Sequence, residues 1–252
     1  MKKLLLFFLL LPALLPAQIN YSDTLSIKAD LSLSGVWQRG NVTTSIFRAK
    51  SALSVIPWKR WVFKTQNSYV YQAFGRQKAD EDMLSLNFLY FDPTKRIYPL
   101  LLGFASSSFR REIDLRYLLG GGVSFQLLRD NGNWLKFSLS SEYEQTEFKR
   151  ATFNRTAYNG VSSIRTLRAT LWTNGKYQLF AKKLVFSHES YLQPSLRRGD
   201  NYRWQADLKL ALPLWKFLDF HINYLHSFES IVIENQRQED RFLTFGFTLK
   251  SY

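Results

Sequence analysis

The sequence predicts an all-β fold: an antiparallel transmembrane β-barrel of about 12 strands, following an N-terminal signal peptide. Three observations carry this. First, residues alternate with a period of two in stretch after stretch. In the clearest, Tyr202, Trp204, Ala206, Leu208, Leu210 and Leu212 alternate with Arg203, Gln205, Asp207, Lys209 and Ala211. One face is therefore apolar and the other charged, the pattern of a barrel strand with lipid outside and a polar lumen inside. Second, residues 1–17 have the form of a signal peptide: Lys2 and Lys3, then the apolar run Leu4 to Leu15, then a small residue at Ala17. Third, no later apolar run reaches the length of a spanning helix, the longest lying around Tyr98 to Ala105.

Composition narrows the class. A chain of 252 residues suits one all-β domain over 18–252. Mean hydropathy is −0.22, far too polar for a helical membrane protein. There is no cysteine, which excludes disulfides, thiolate metal sites and a lipoprotein anchor. Aromatic residues make up 16% of the chain, enough for girdles at two membrane interfaces. The net charge of +14 becomes 14 − 2 = +12 once the two signal-peptide lysines are removed. Export without a helical anchor, combined with barrel strands, predicts the outer membrane of a Gram-negative cell envelope.

Strand one is expected over 25–38, ended by the turn 39–41, because glycine and asparagine tolerate positive φ. Strand two covers about 42–55 and strand three 61–74, with Lys64, Gln66, Ser68 and Gln72 inward. A polar loop is expected at 75–82, then strand four over 83–91 with Leu84, Leu86, Phe88 and Tyr90 outward. Strand five (97–110) alternates poorly. Strand six (115–128) contains Gly120, Gly121 and Gly122, a sign of a bend or a close approach. Asp130 to Asn133 is a strong hairpin signal before strand seven, 134–145. After the longest loop, 147–163, strand eight lies within 164–180 and strand nine over 184–196. Strand ten follows the loop 197–201. Strand eleven covers 217–229 and, after the loop 231–240, strand twelve covers 242–252. Twelve is an even number, and the loops after odd strands are mostly the longer ones, as in bacterial barrels with extracellular loops.

Gly40-Asn41, Asn87 to Phe91, Leu119 to Val123 and Phe186 to Tyr191, in that order, carry a family resemblance. The chain resembles the salt-induced outer membrane protein family, a domain-of-unknown-function barrel family, over about residues 25–252. The resemblance implies an outer-membrane barrel and a tie to salt or osmotic stress. It brings no catalytic residues.

The candidate functional residues are the inward charges. Arg48, Lys50, Lys64, Arg116, Lys136, Arg168, Arg203 and Lys209, with Lys28 and Lys250, predict a basic lumen that would attract small anions. Asp30, Glu142, Glu144, Glu189, Asp207, Asp219 and Glu229 share that face. The competing expectation is a lumen filled by ion pairs, because buried charges must be matched. The function expected is a structural or narrow-channel barrel rather than an enzyme.

Two alternatives remain. His188 and Ser190 share an outward face and could form a lipid esterase pair, an arrangement that resembles outer-membrane phospholipases and lipid A deacylases, which also need an orienting Asn or Glu. The loops, with Arg150, Arg155, Arg197 and Arg198, could instead bind a surface partner or lipopolysaccharide phosphates. His221, beside Asp219 and Asn223, has too few companions for a metal site, and no cofactor is expected. Expected partners are outer-membrane lipids, lipopolysaccharide and the barrel-assembly machinery during biogenesis. No nucleic acid is expected, and the protein is taken as a monomer.

Overall fold

The computed structural model describes residues 27–39, 43–75, 77–130, 132–216 and 218–249. The signal peptide, the turn at Gly40-Asn41, Lys250 and Tyr252 lie outside the described residues. Twelve strands run in order: β1 (Ile27–Gln38), β2 (Thr44–Trp58), β3 (Trp61–Phe74), β4 (Gln77–Phe91), β5 (Ile97–Ser108) and β6 (Ile113–Asp130), then β7 (Asn133–Phe148), β8 (Ser163–Leu179), β9 (Leu184–Pro194), β10 (Tyr202–Trp215), β11 (Leu218–Glu229) and β12 (Glu239–Leu249). They form one antiparallel sheet in which each strand pairs with the next. Strands of 11–18 residues exceed the 9–11 that a tilted membrane strand needs.

The sheet curls. Arg116 on β6 reaches Glu229 on β11 at 2.7 Å. Phe88 on β4 meets Trp172 on β8 with ring centroids 5.5 Å apart. Arg111, before β6, reaches Asp240 on β12. These contacts cross several strands, so the face that carries them is concave. Register then assigns every other residue to a face. Lys64 lies opposite Phe88, Leu118 opposite Glu144, Glu142 opposite Arg168, and Arg203 opposite Glu229, all on the concave side. The convex side is a field of exposed apolar residues, among them Leu101, Leu119, Leu139, Leu171, Leu210 and Ile222.

The glycines of β6 are required by a close approach. A Cβ on Gly120 would lie 2.7 Å from the Cα of Glu142 and collide with the carbonyl of Ser141. One on Gly122 would lie 2.5 Å from the Cα of Ser140. Both glycines are on the concave side, where β6 gives up its side chains to let β7 bend in. Gly132, at φ 89°, closes the short β6–β7 hairpin.

Two expectations are overturned. Leu84, Leu86, Phe88 and Tyr90 were expected outward but lie on the concave face, because they pair in register with the inward side of β3. Leu86 and Tyr90 are buried with Val62, Tyr98, Leu100 and Leu102, and Phe88, Phe104 and Trp172 pack against them. The polar stretch 75–82 is not a loop. β4 begins at Gln77, and Asp80 and Asp82 belong to its concave side, where Arg110 meets both. Strand eight, left without register by the sequence, spans Ser163–Leu179.

Candidate functional site

At the loop end of the concave face, charged side chains from β6 to β11 form one lattice. Glu144 of β7 accepts from Arg168 Nε at 2.6 Å and Nη2 at 3.1 Å, and from Arg203 Nη2 at 2.8 Å. Arg168 also donates to the Gln193 carbonyl at 2.9 Å and to Asn201 Oδ1 at 2.8 Å. Arg203 donates to Gln193 Oε1 at 2.6 Å. Arg116 holds Glu229 through both terminal nitrogens and donates to Thr146 Oγ1 at 3.1 Å. Below them Glu142 accepts from Thr170 at 2.8 Å and from Ser140. Arg168 and Glu144 are 4% and 2% exposed. Three arginines thus converge on two glutamates, with neutral polar groups accepting further hydrogen bonds, while Arg203 Nη1 is buried without a partner. Two-point guanidinium–carboxylate contacts of this kind are both strong and geometrically specific. The lattice and its apolar neighbours Phe148, Ile164 and Ile231 line a small recess.

The loops above are tied down. Ile231, Val232 and Ile233 are buried in the loop 230–238, and Ile231 and Ile233 join Phe153 and Tyr158 of the loop 149–162 and the strand residues Ile113, Phe148 and Ile164. Phe153 and Ile233 form a backbone bridge. Asn154 brackets the neighbouring loop, donating to the Ser230 carbonyl at 3.0 Å and accepting from the Val232 amide at 3.1 Å. Glu112, in the β5–β6 turn, grips Arg150 at both oxygens and accepts from Gln236 at 3.1 Å. The Arg150 hydrogen bonds hold the Glu112 carboxyl below its ordinary range against the opposing effect of burial.

The other end of the concave face is aromatic. Lys64 and Lys136, 6% and 5% exposed, lie over the rings of Tyr90 and Tyr98 at 5.8 and 5.9 Å. Lys209 lies on the same face, between Ser187 and Asn223 in register. Arg48 and Lys50 hold backbone positions opposite Val70 and Ser68, and their side chains lie outside the described set.

The concave face carries both signs of charge. Among the described side chains, the bases Lys64, Arg116, Lys136, Arg168, Lys176, Arg203 and Lys209 lie on it, and Arg110 and Arg111 reach its carboxylates from the β5–β6 turn. The acids Asp80, Asp82, Glu142, Glu144, Glu189, Asp207, Asp219, Glu229 and Asp240 share it. Further bases sit in the short turns, at Lys59, Arg60, Lys95, Arg96, Lys182, Lys183 and Lys216, all exposed.

His188 and Ser190 share the convex face, as expected. The His188 ring stacks on Tyr177 and Phe186, with centroids 5.9 and 5.8 Å away. Across the ladder its neighbours are Gly175 and Leu208, and those of Ser190 are Thr173 and Ala206. No hydrogen bond joins the two, and no carboxylate or carboxamide orients the imidazole among the described residues. His226 lies on the convex face at the loop end, 3.4 Å from Glu239 and against Trp204. No three described His, Cys, Asp or Glu residues gather as a metal site.

Sequence reasoning missed Gln193, Asn201, Thr146 and Thr170 as lattice members, since nothing in the alternation separates them from ordinary inward polar residues. It also missed the aromatic wall around Trp172, whose residues read as a lipid face.

No curated protein matches the chain. A solved structure titled "NanC porin structure in rhombohedral crystal form" is similar at 13% identity and a TM-score of 0.49, over 88% of this chain and 100% of that one. A family model described as "Protein of unknown function, DUF481" matches residues 31–250, a range reaching from within β1 to just past the end of β12. The chain therefore belongs to the DUF481 family of proteins of unknown function.

Proposed function

We propose that this protein is an outer-membrane β-barrel with a constricted lumen, a structural element of the cell envelope that conducts little in its resting state. The observation that carries this reading is the inside-out burial. Leu119, Leu243 and Phe245 are 68%, 66% and 76% exposed on the convex face, while Glu142, Glu144 and Arg168 are buried on the concave one. A water-soluble sheet would reverse that distribution, whereas a barrel in lipid requires it. In this reading residues 1–17 direct export and β1 closes on β12, which leaves no sheet edge in hydrocarbon. The Arg116–Glu229 and Glu144–Arg168–Arg203 contacts, capped by the loops 149–162 and 230–238, set the narrowest section. The link to salt stress rests on the family resemblance alone.

Single-channel recording of the refolded barrel in a planar bilayer tests the reading. The wild type is expected to show small, rare openings, and Arg116→Ala combined with Glu229→Ala is expected to raise the conductance. A large steady conductance in the wild type, unchanged by that double substitution, would refute a constriction at the lattice.

A further inference from the structure

The convex face is not uniformly apolar. Ser51 lies opposite Asn67, Asn67 opposite Ser85, and Ser85 opposite Ala105. One step along, Thr65 lies opposite Asn87 and Asn87 opposite Gly103. These residues share the side opposite buried Lys64, Leu86 and Leu102, and so they face outward. They also sit at mid-strand: Ser51 is the eighth of the fifteen residues of β2, and Asn67 the seventh of the fourteen of β3. Elsewhere the middle of this face carries Leu119, Leu139, Leu171, Leu208 and Ile222.

The patch is only partly satisfied from within. Asn67 donates to Ser51 at 3.4 Å and Thr65 at 3.2 Å, and Asn87 donates to Ser85 at 3.1 Å. The other end of each carboxamide has no hydrogen-bond partner among the described residues. In hydrocarbon such a group is costly unless another polar group meets it. Gly103 adds an independent sign. A Cβ there would meet only Leu119 at 3.9 Å and Asn87 at 4.0 Å, both ordinary contacts, so nothing inside the chain demands glycine. Glycine and Ala105 leave a shallow, flat area beside the two asparagines.

We infer that the outward face of β2–β5, centred on Asn67, Ser85 and Asn87, is the contact through which a second copy of this chain packs inside the membrane. The inference rests on the membrane reading above. A carboxamide is both donor and acceptor, so the free end of Asn67 in one copy suits the free end of Asn87 in the other around a two-fold axis. None of these patch residues carries a charge, so like-charge repulsion does not oppose self-pairing. Small residues let two backbones approach closely, the usual basis of association where lipid supplies no hydrophobic drive. This replaces the monomer expected from sequence with a dimer.

The chain has no native cysteine, so single-cysteine variants are unambiguous reporters. The full chain is reconstituted in phospholipid vesicles, its flotation with them is recorded, and it is then treated with a short bis-maleimide. The expected result is covalent dimer from Ser85→Cys and none from Leu139→Cys, which lies on the same face but away from the patch. Adding Gly103→Phe to Ser85→Cys should abolish the dimer while the barrel keeps its heat-modifiable gel mobility. Absence of dimer at Ser85→Cys, equal dimer at both positions, or indifference to Gly103→Phe in a floating protein would overturn the interface and leave the membrane reading intact. Failure to float would overturn the membrane reading itself, and the interface with it.

Discussion

Arg116 and Glu229 meet through two hydrogen bonds, of 2.7 and 2.9 Å, although four strands separate them along the sheet. That pair measures how tightly the sheet is rolled, and it ties β6 to β11 across the concave space.

Removing one partner leaves the other as an uncompensated buried charge, which costs about 3–5 kcal/mol. Glu229→Gln is therefore expected to lower the urea midpoint of the refolded protein substantially, since Arg111 also loses a neighbour at 3.7 Å. Replacing both members of the pair by apolar residues, as in Arg116→Met with Glu229→Leu, is expected to be milder. If the single and double variants unfold at the same urea concentration, the two side chains are not energetically coupled.

Gly120→Ala places a methyl group where the Ser141 carbonyl and Glu142 stand. It should push β6 from β7 and cut the yield of folded protein. Gly199→Ala, at a site with nothing within 4 Å, serves as the neutral comparison. Equal yields from both would mean that β6 and β7 tolerate separation.

Asp92, in the β4–β5 turn, accepts from Thr94 at 2.7 Å and from Arg60 at 2.6 Å. The Thr94 hydrogen bond first, then Arg60, lowers its carboxyl to about 2. A depressed folded-state value means that the contribution is complete above the ordinary carboxylate value of about 3.9 and is lost as pH falls through about 2. The thermal midpoints of wild type and Asp92→Asn should therefore differ near neutrality and converge through that acid window. Parallel curves would show that the turn is not held by the ionised carboxyl.

Ile233 is 0% exposed at the centre of the loop cap. Ile233→Asp should release the loops 149–162 and 230–238 together, seen as faster protease cleavage at Arg150, Arg155 and Arg237 with the strands still protected. Cleavage of one loop without the other would show that the two do not act as a unit.

Leu208 and Leu210 point away from Lys209 across β10. In vesicles, a probe on Leu208→Cys should be quenched by lipid-borne quenchers, and one on Lys209→Cys by water-soluble ones. The reverse would assign the two faces of β10 the other way round.

The alternation of β10 could be read directly because its convex side is aliphatic from Ala206 to Leu214 and its concave side polar from Arg203 to Lys209. β4 misled because the same rule equates apolar with outward, while Leu86, Phe88 and Tyr90 fill the inside against Trp172. The register of Lys64 opposite Phe88 contains the answer, but register is a property of two strands and not of one. Asp80 and Asp82 looked like loop residues because their partner Arg110 lies at a distance in sequence. The membership of Arg116, Arg168 and Arg203 in the concave face was legible. Which carboxylate each one meets was not, since that depends on strand stagger around the roll. The balance of charge on the concave face was not legible, because net charge is a sum over the chain and part of it lies in turns such as Lys182-Lys183.

The interlock of Asn154 with Ser230 and Val232 has an immunological consequence. Two segments more than seventy residues apart form a single conformational epitope at the loop end. Antibodies raised against a linear peptide from either segment should stain the denatured chain on a blot and miss the folded protein. Antibodies selected on the folded protein should lose recognition on boiling.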